Sequence, residues 1–305
     1  MDARSDTGAS LTHAWAHRYA SHLGYRSADA PLFVASARDP GPLAQIEIAA
    51  QRGLAGVQYA LAVTRSEAEQ TAVGERLQRY NLATGCMVYA PFETLRLPYL
   101  SHPGVRARET FLGHLRNAFD VASRIHSTQV VVLAAADPDH ARRAQIASFI
   151  EHLKYATELA ERAGVMLELE LVASTALPPL ILERLDDVME VIERVASPHL
   201  RMIFDTAHVE ALEGNAAAHL PPVFDYVDIV QLADHPGRLE PGTGTIDFTA
   251  LLTQLHRRTY RGLVELEHGW SVPGEAGERE GLQALQRLDA RVHERLLAAS
   301  AGTDR

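Results

Sequence analysis

Gly164-Val-Met-Leu-Glu-Leu-Glu-Leu171 alternates apolar and acidic residues, directly after a helix-like stretch that stops at a glycine. A period of two marks a strand, because successive side chains leave opposite faces of an extended chain. The glycine supplies the left-handed residue that ends a helix. The unit is helix, cap, strand, and it recurs: Gly53 and, less regularly, Arg261-Gly262 stand before other apolar runs. Working outward gives eight expected strands, at 32–36, 55–60, 82–89, 128–134, 165–172, 200–205, 226–232 and 262–268. Helical stretches separate them, and a last helix is expected over 278–299. Short strands joined by crossovers of ten or more residues pair in parallel, since no tight hairpin can join parallel neighbours. Eight such units predict an α/β fold of the (β/α)8 TIM barrel type, whose usual size is about 250 residues. A doubly wound open sheet is the alternative, but no G-x-G-x-x-G follows the first expected strand. The expected organisation is an N-terminal extension at 1–30, with an extra helix over 11–23, and a single barrel domain at 31–300.

The chain has 305 residues, 47% of them apolar and 22% charged, which is ordinary globular composition and enough to close a large core. The longest unbroken apolar stretch, 130–136, is far short of the roughly 20 residues a membrane helix needs, and the first residues lack the apolar core of a signal peptide. No membrane partner is expected. Cys86 is the only cysteine, so no intramolecular disulfide can form and a cytoplasmic location is the simplest reading. The 29 basic against 39 acidic side chains give a net charge of −10, which repels a phosphate backbone, so nucleic acid is not an expected partner.

Catalytic groups of a barrel collect where its strands end. Four consecutive expected strands carry an oxygen-bearing side chain there: Glu170, Asp205, Gln231 and Glu267. Three carboxylates on one mouth repel one another unless their pKa values rise or a cation neutralises them. A divalent ion is the natural solution, and an all-oxygen set suits Mn²⁺ or Mg²⁺ better than a thiolate or His-rich zinc site, although other divalent ions could substitute. Asp205-Thr-Ala-His208 also reads as a helix N-cap. Parity extends the pattern: if Glu170 points inward so does Glu168, Glu265 accompanies Glu267, and Arg201 accompanies Asp205. A deeper polar layer is thus expected, with Arg201 paired to Glu168 from the neighbouring strand.

These residues resemble the xylose isomerase-like barrel superfamily, and within it the hydroxypyruvate isomerases and 2-oxo-tetronate isomerases. The resemblance rests on 164–170, on Phe204-Asp-Thr-Ala-His208 with Glu213-Gly-Asn215, on Val230-Gln-Leu-Ala-Asp234, on 236–244, and on Gly262-Leu-Val-Glu-Leu-Glu267. It is good from about 147 to 268 and only topological before that. The resemblance implies that Glu170, Asp205, Gln231 and Glu267 hold the metal and that Glu170 and Glu267 are the catalytic, proton-transferring pair. It implies that His208 and Arg238 bind the substrate's oxygens, with Glu240 and Gly242-Thr-Gly244 shaping the loop. The implied activity is a metal-dependent isomerase of a small hydroxy-carbonyl sugar or sugar acid, working through a cis-enediolate. An epimerase or a dehydratase/eliminase (lyase) acting on a ketose, cyclic polyol or keto-glycoside is the alternative, and a non-catalytic sugar-binding or partner subunit a second. A DNA-repair endonuclease of the same fold needs a His-rich metal cluster and a basic groove, neither of which the sequence offers. The carbohydrate-like substrate is the expected partner, and the long C-terminal helix and N-terminal extension allow a homo-oligomer. Three places depart from the family: Gln58 stands where Glu is common, His268-Gly-Trp270 replaces Tyr-Lys-Pro, and the loop at 90–102 matches nothing.

Overall fold

The computed structural model describes residues 15–173 and 177–302. Its strands are β1 (Arg18–His22), β2 (Gly56–Gln58), β3 (Ala83–Thr84), β4 (Met87–Val88), β5 (Gln129–Val132), β6 (Met166–Glu170), β7 (Leu200–Asp205), β8 (Val227–Leu232) and β9 (Leu263–Leu266). Every pairing is parallel, in the order β3-β2-β1-β9-β8-β7-β6-β5-β4. The two ends of that order are consecutive in the chain, separated only by Gly85 and Cys86. The sheet therefore curls back on itself and helices alternate with its strands, as in a TIM barrel.

The expected third strand over 82–89 is broken at Gly85-Cys86 for a reason visible inside the barrel. The backbone N–H of Cys86 turns from the ladder and donates to Glu265 Oε1 at 2.8 Å. A Cβ on Gly85 would lie 2.0 Å from that same oxygen, so a larger residue would push the Glu265 carboxylate off Cys86 N.

The first strand corrects the sequence reading. It is Arg18–His22, within the segment read as an extension and where a helix over 11–23 was expected; residues 11–14 lie outside the described residues. Two successive buried residues, His22 facing into the barrel and Ser21 on the opposite side of the strand, are polar and disguise a buried strand. Asp289, from the helix Glu275–Gly302, anchors it by accepting from Ala16 N (2.7 Å), His17 Nδ1 (2.7 Å) and Tyr19 OH (3.1 Å). The run expected as strand 32–36 is instead a loop entering the short helix Val34–Ala37. Leu32 and Phe33 are buried there under Trp270, whose Nε1 donates to Leu32 O at 2.6 Å.

The remaining strands lie where periodicity puts them, with ends that differ by no more than two residues. Gly164 ends the helix Arg142–Ala163 at φ 66°, and Gly53 sits at φ 69°. Gly262 is different: the left-handed residue there is Thr259 (φ 51°), and Gly262 is small because a Cβ would meet Asp228 O at 2.4 Å. No helix among the described residues is long and apolar enough to cross a membrane.

Candidate active site

β6, β7, β8 and β9 deliver Glu170, Asp205, Gln231 and Glu267 to one end of the barrel, as strands in parallel register must. Asp205 pairs in register with Gln231, and Gln231 with Glu265. Asp205 is also the N-cap of the helix Thr206–Glu213, accepting from His208 N at 2.9 Å. Cap and site are one side chain, and the cap brings His208 over Glu170, Nε2 to Oε1 3.8 Å. Glu170, Gln231, Glu267, His208 and Arg238 line a cavity of about 580 Å³, walled on its apolar side by residues such as Phe92, Val172 and Leu177.

Arg238 is the centre of the arrangement. Its guanidinium donates to Asp205 Oδ1 (3.2 Å) and Oδ2 (2.7 Å) and to Glu267 Oε1 (2.5 Å), with the Tyr25 ring 5.2 Å away. The structure thus brings together all six residues singled out in the sequence, and places Arg238 as the positive charge between two carboxylates. The loop carrying it is held by a residue to which the sequence reading gave no role. Asp234, fully buried, accepts from the backbone N–H groups of His235 (2.8 Å), Gly242 (2.8 Å), Gly244 (2.7 Å) and Ile246 (3.2 Å). Glu240 accepts from Ser271 N and Oγ, tying this loop to the one after β9.

Beneath the mouth lies the second polar layer that parity predicts. Glu168 and Glu265 are fully buried. Glu265 accepts from Cys86 N, from Cys86 Sγ (3.2 Å) and from Gln231 Nε2 (2.9 Å). The expected Arg201–Glu168 ion pair does not form, although the two are register neighbours. Arg201 stands near the strand's start and donates to Asp225 O at 2.8 Å instead, while both Glu168 oxygens lack a hydrogen-bond partner. Burial, then the nearby Asp228, push the Glu168 carboxyl well above its usual range.

Two amides show how this layer aims the upper one. Because Gln231 Nε2 is committed to Glu265, its carbonyl Oε1 is left buried without a partner, on a side chain that lines the cavity. Gln58 Nε2 donates to Glu267 Oε2 at 2.5 Å, leaving its own Oε1 without a partner as well. An unpaired buried oxygen beside three carboxylates is a poor arrangement for a solvent-free core and a good one for a cation. Among the described residues, Asp205 Oδ2 and Glu267 Oε1 each accept from Arg238 alone, which leaves a second lone pair on each. The donor set Glu170, Asp205, Gln231 and Glu267 therefore fits a hard divalent ion. His208 does not belong to that set, although its ring nitrogen lies within 4.8 Å of the Glu170 and Asp205 oxygens. Its Nδ1 accepts from Ala173 N at 3.2 Å, which places the ring proton on Nε2 and makes that nitrogen a donor.

The electrostatics follow from burial. Burial pushes the Glu170 carboxyl well above its usual range, and the charges of Glu267 and Asp205 push it further. Burial also raises Glu267, against the opposing pull of Arg238. For Asp205 burial acts upward, but Arg238 and then His208 outweigh it and hold the carboxyl below its ordinary value. Burial lowers the His208 imidazole to about 4, so the ring is neutral at pH 7. Cys86 is buried, and desolvation followed by the charge of Glu265 raises its thiol well above the ordinary value, which makes it structural rather than nucleophilic.

Comparison with known proteins shows the same fold and family. Over 159 residues the chain is 28% identical to the 2-oxo-tetronate isomerase of Cupriavidus necator, covering 52% of this chain and 61% of that protein. Over 242 residues it is 25% identical to the hydroxypyruvate isomerase of Escherichia coli, covering 78% of this chain and 91% of that one. Several of the curated relatives are thus matched over less than two thirds of their length. The crystal structure of an AP endonuclease, family 2, from Brucella melitensis superposes with a TM-score of 0.73 at 19% identity, covering 86% of this chain and 96% of that one, a likeness of fold. The family model described as xylose isomerase-like TIM barrel matches residues 46–288, and the chain belongs to that family.

Proposed function

We propose that the protein is a metal-dependent isomerase of a small hydroxy-carbonyl sugar or sugar acid. The observation that carries this reading is the pairing of two buried glutamates, Glu170 and Glu267, on one cavity with a buried, unpartnered amide oxygen, Gln231 Oε1, on a side chain that lines the same cavity. Glu170, Asp205, Gln231 and Glu267 would hold the divalent ion, Mn²⁺ or Mg²⁺ by the hardness of the donors. Such an ion supplies Lewis acidity, polarising adjacent hydroxyl and carbonyl oxygens so that the C–H between them becomes acidic.

The chain's own residues do the rest. One glutamate removes the carbon-bound proton, and the enediolate's negative charge is met by the Arg238 guanidinium and the Nε2–H of His208. The same or the facing glutamate returns a proton to the neighbouring carbon while the hydroxyl proton passes to the former carbonyl oxygen, which completes the isomerisation. The cavity is large for a three-carbon acid, which favours a longer substrate and, as a second reading, epimerisation by proton return to the opposite face of the same carbon. A lone buried thiol suits a cytoplasmic setting.

The test is solvent-deuterium incorporation with Mn²⁺ present, using hydroxypyruvate, 2-oxo-tetronate and a panel of ketoses. Wild-type protein should place deuterium on a substrate carbon, and both Glu170→Gln and Glu267→Gln should lose the exchange. Full exchange in either variant rejects the proton-transfer assignment.

A further inference from the structure

Outside the cavity, three side chains from two loops at the same end of the barrel converge on one point. His102 follows the turn Pro98–Ser101 after β4, and Asp137 and His140 lie in the loop after β5. His102 Nε2 is 2.7 Å and His140 Nδ1 3.0 Å from the same oxygen, Asp137 Oδ2. All three ligand atoms lie within 4.8 Å of one another, and the imidazole rings stand 4.7 Å apart. We propose that His102, Asp137 and His140 form a second metal site, separate from the oxygen-lined centre, that takes a borderline transition ion of the Zn²⁺ class.

The donor chemistry separates the two sites. Two imidazoles and one carboxylate suit Zn²⁺, with ligand bonds of roughly 2.0–2.2 Å and a fourth position left to water. The side chains are 37%, 14% and 51% exposed, which leaves that position open to solvent. The backbone under the site is fixed from below by two buried side chains of the helix Arg142–Ala163. Gln145 accepts from Asp137 N (2.9 Å) and donates to Asp137 O (2.8 Å) and His140 O (2.7 Å), and His152 Nε2 meets His102 O at 2.7 Å. Both are nearly inaccessible, at 3% and 2% exposure. Ligand positions preset by buried neighbours lose little freedom when an ion binds. The ion would clasp the loop after β4, which carries Phe92 and Arg96 at the cavity wall, to the loop after β5. The proposal does not depend on the isomerase reading.

Zn²⁺ binding, measured by competition with a chromogenic chelator on metal-stripped protein, tests it. Wild-type protein should bind one more Zn²⁺ per chain than the His102→Ala/His140→Ala double variant, and Asp137→Asn should weaken that ion at least tenfold. Zn²⁺ should also raise the melting temperature of the wild type beyond the rise seen in the double variant. Equal stoichiometry in wild type and double variant overturns the proposal. His140→Ala alone, which removes a half-exposed ring, is the second variant should the double one fold poorly; unchanged Zn²⁺ stoichiometry and affinity there are equally fatal.

Discussion

Glu265→Gln changes one atom, and the geometry around it predicts two separate measurements. Glu265 Oε1 faces the Cys86 backbone N–H, which cannot rotate, and Oε2 faces the Gln231 amide N–H and the Cys86 thiol. In the variant the new carbonyl must stay on Cys86, so the new NH₂ faces the NH₂ of Gln231, donor against donor. Gln231 relieves this by turning its amide, which sends an N–H rather than Oε1 toward the carboxylates. Losing one oxygen ligand through a supporting residue costs about 10–100-fold in metal affinity, or about 1.4–2.7 kcal/mol. Titration of metal-free protein with Mn²⁺, followed by the paramagnetic resonance of the free ion, reads this directly. The second measurement is stability against pH in metal-free protein. Burial raises the Glu265 carboxyl from 4.5 to about 7, opposed by its hydrogen bonds to Gln231 and Cys86. A raised pKa means that the unfolded chain loses its proton first. The stabilising contribution is whole below about 4.5 and is lost as pH climbs through about 7, by about 2–3 kcal/mol. Denaturant unfolding of wild type between pH 5 and pH 8 should show that loss on top of whatever the variant shows. Unchanged Mn²⁺ affinity, together with equal pH slopes in the two proteins, would refute the reasoning.

Two further substitutions probe the charge at the mouth and the anchoring of the first strand. Arg238→Met leaves Asp205, Glu170 and Glu267 buried with no guanidinium among them, and breaking such a buried pair costs about 3–5 kcal/mol. Metal-free variant should melt roughly 6–10 °C below wild type, with Mn²⁺ recovering most of the gap, and a melting point within a degree of wild type would contradict the role given to Arg238. Asp289→Ala strands three donors, Ala16 N, His17 Nδ1 and Tyr19 OH, and should cost about 3 kcal/mol. Hydrogen exchange of the Arg18–His22 amides should quicken more than that of β6, and uniform exchange would speak against Asp289 as the anchor of β1.

Much of the site was legible because strand parity is local. The alternation at 164–171 puts Glu168 and Glu170 on one face whatever else the chain does, and both are found buried. The Asp205 cap followed by His208 is legible for the same reason, since a cap joins residues three apart. The reading failed where a buried strand carries polar residues or where a partner is distant. Ser21 and His22 made β1 look like part of a helix, and Leu32 and Phe33, apolar for packing under Trp270, looked like the strand that β1 supplies. Arg201 has the parity expected of it, yet at the strand's start a carbonyl was within reach and Glu168 was not its partner. Asp234 carried part of the resemblance but no role could be read for it, because its four partners are backbone N–H groups of a loop with no periodicity.

What the order of residues determined was the repeat, the parallel crossovers and the identity of the oxygen donors, since covalent geometry and short-range periodicity set all three. What only the folded chain decided was which donors meet which acceptors. Glu265 finds Cys86 across 179 residues, Gln58 finds Glu267 across 209, and His17 finds Asp289 across 272. Closing the sheet at Gly85-Cys86 brings the first pair together and the shared neighbour β1 the second, and those contacts orient the amides of the site. No local pattern encodes contacts at such separations, because they exist only once the remaining strands have paired and the space between them is shared.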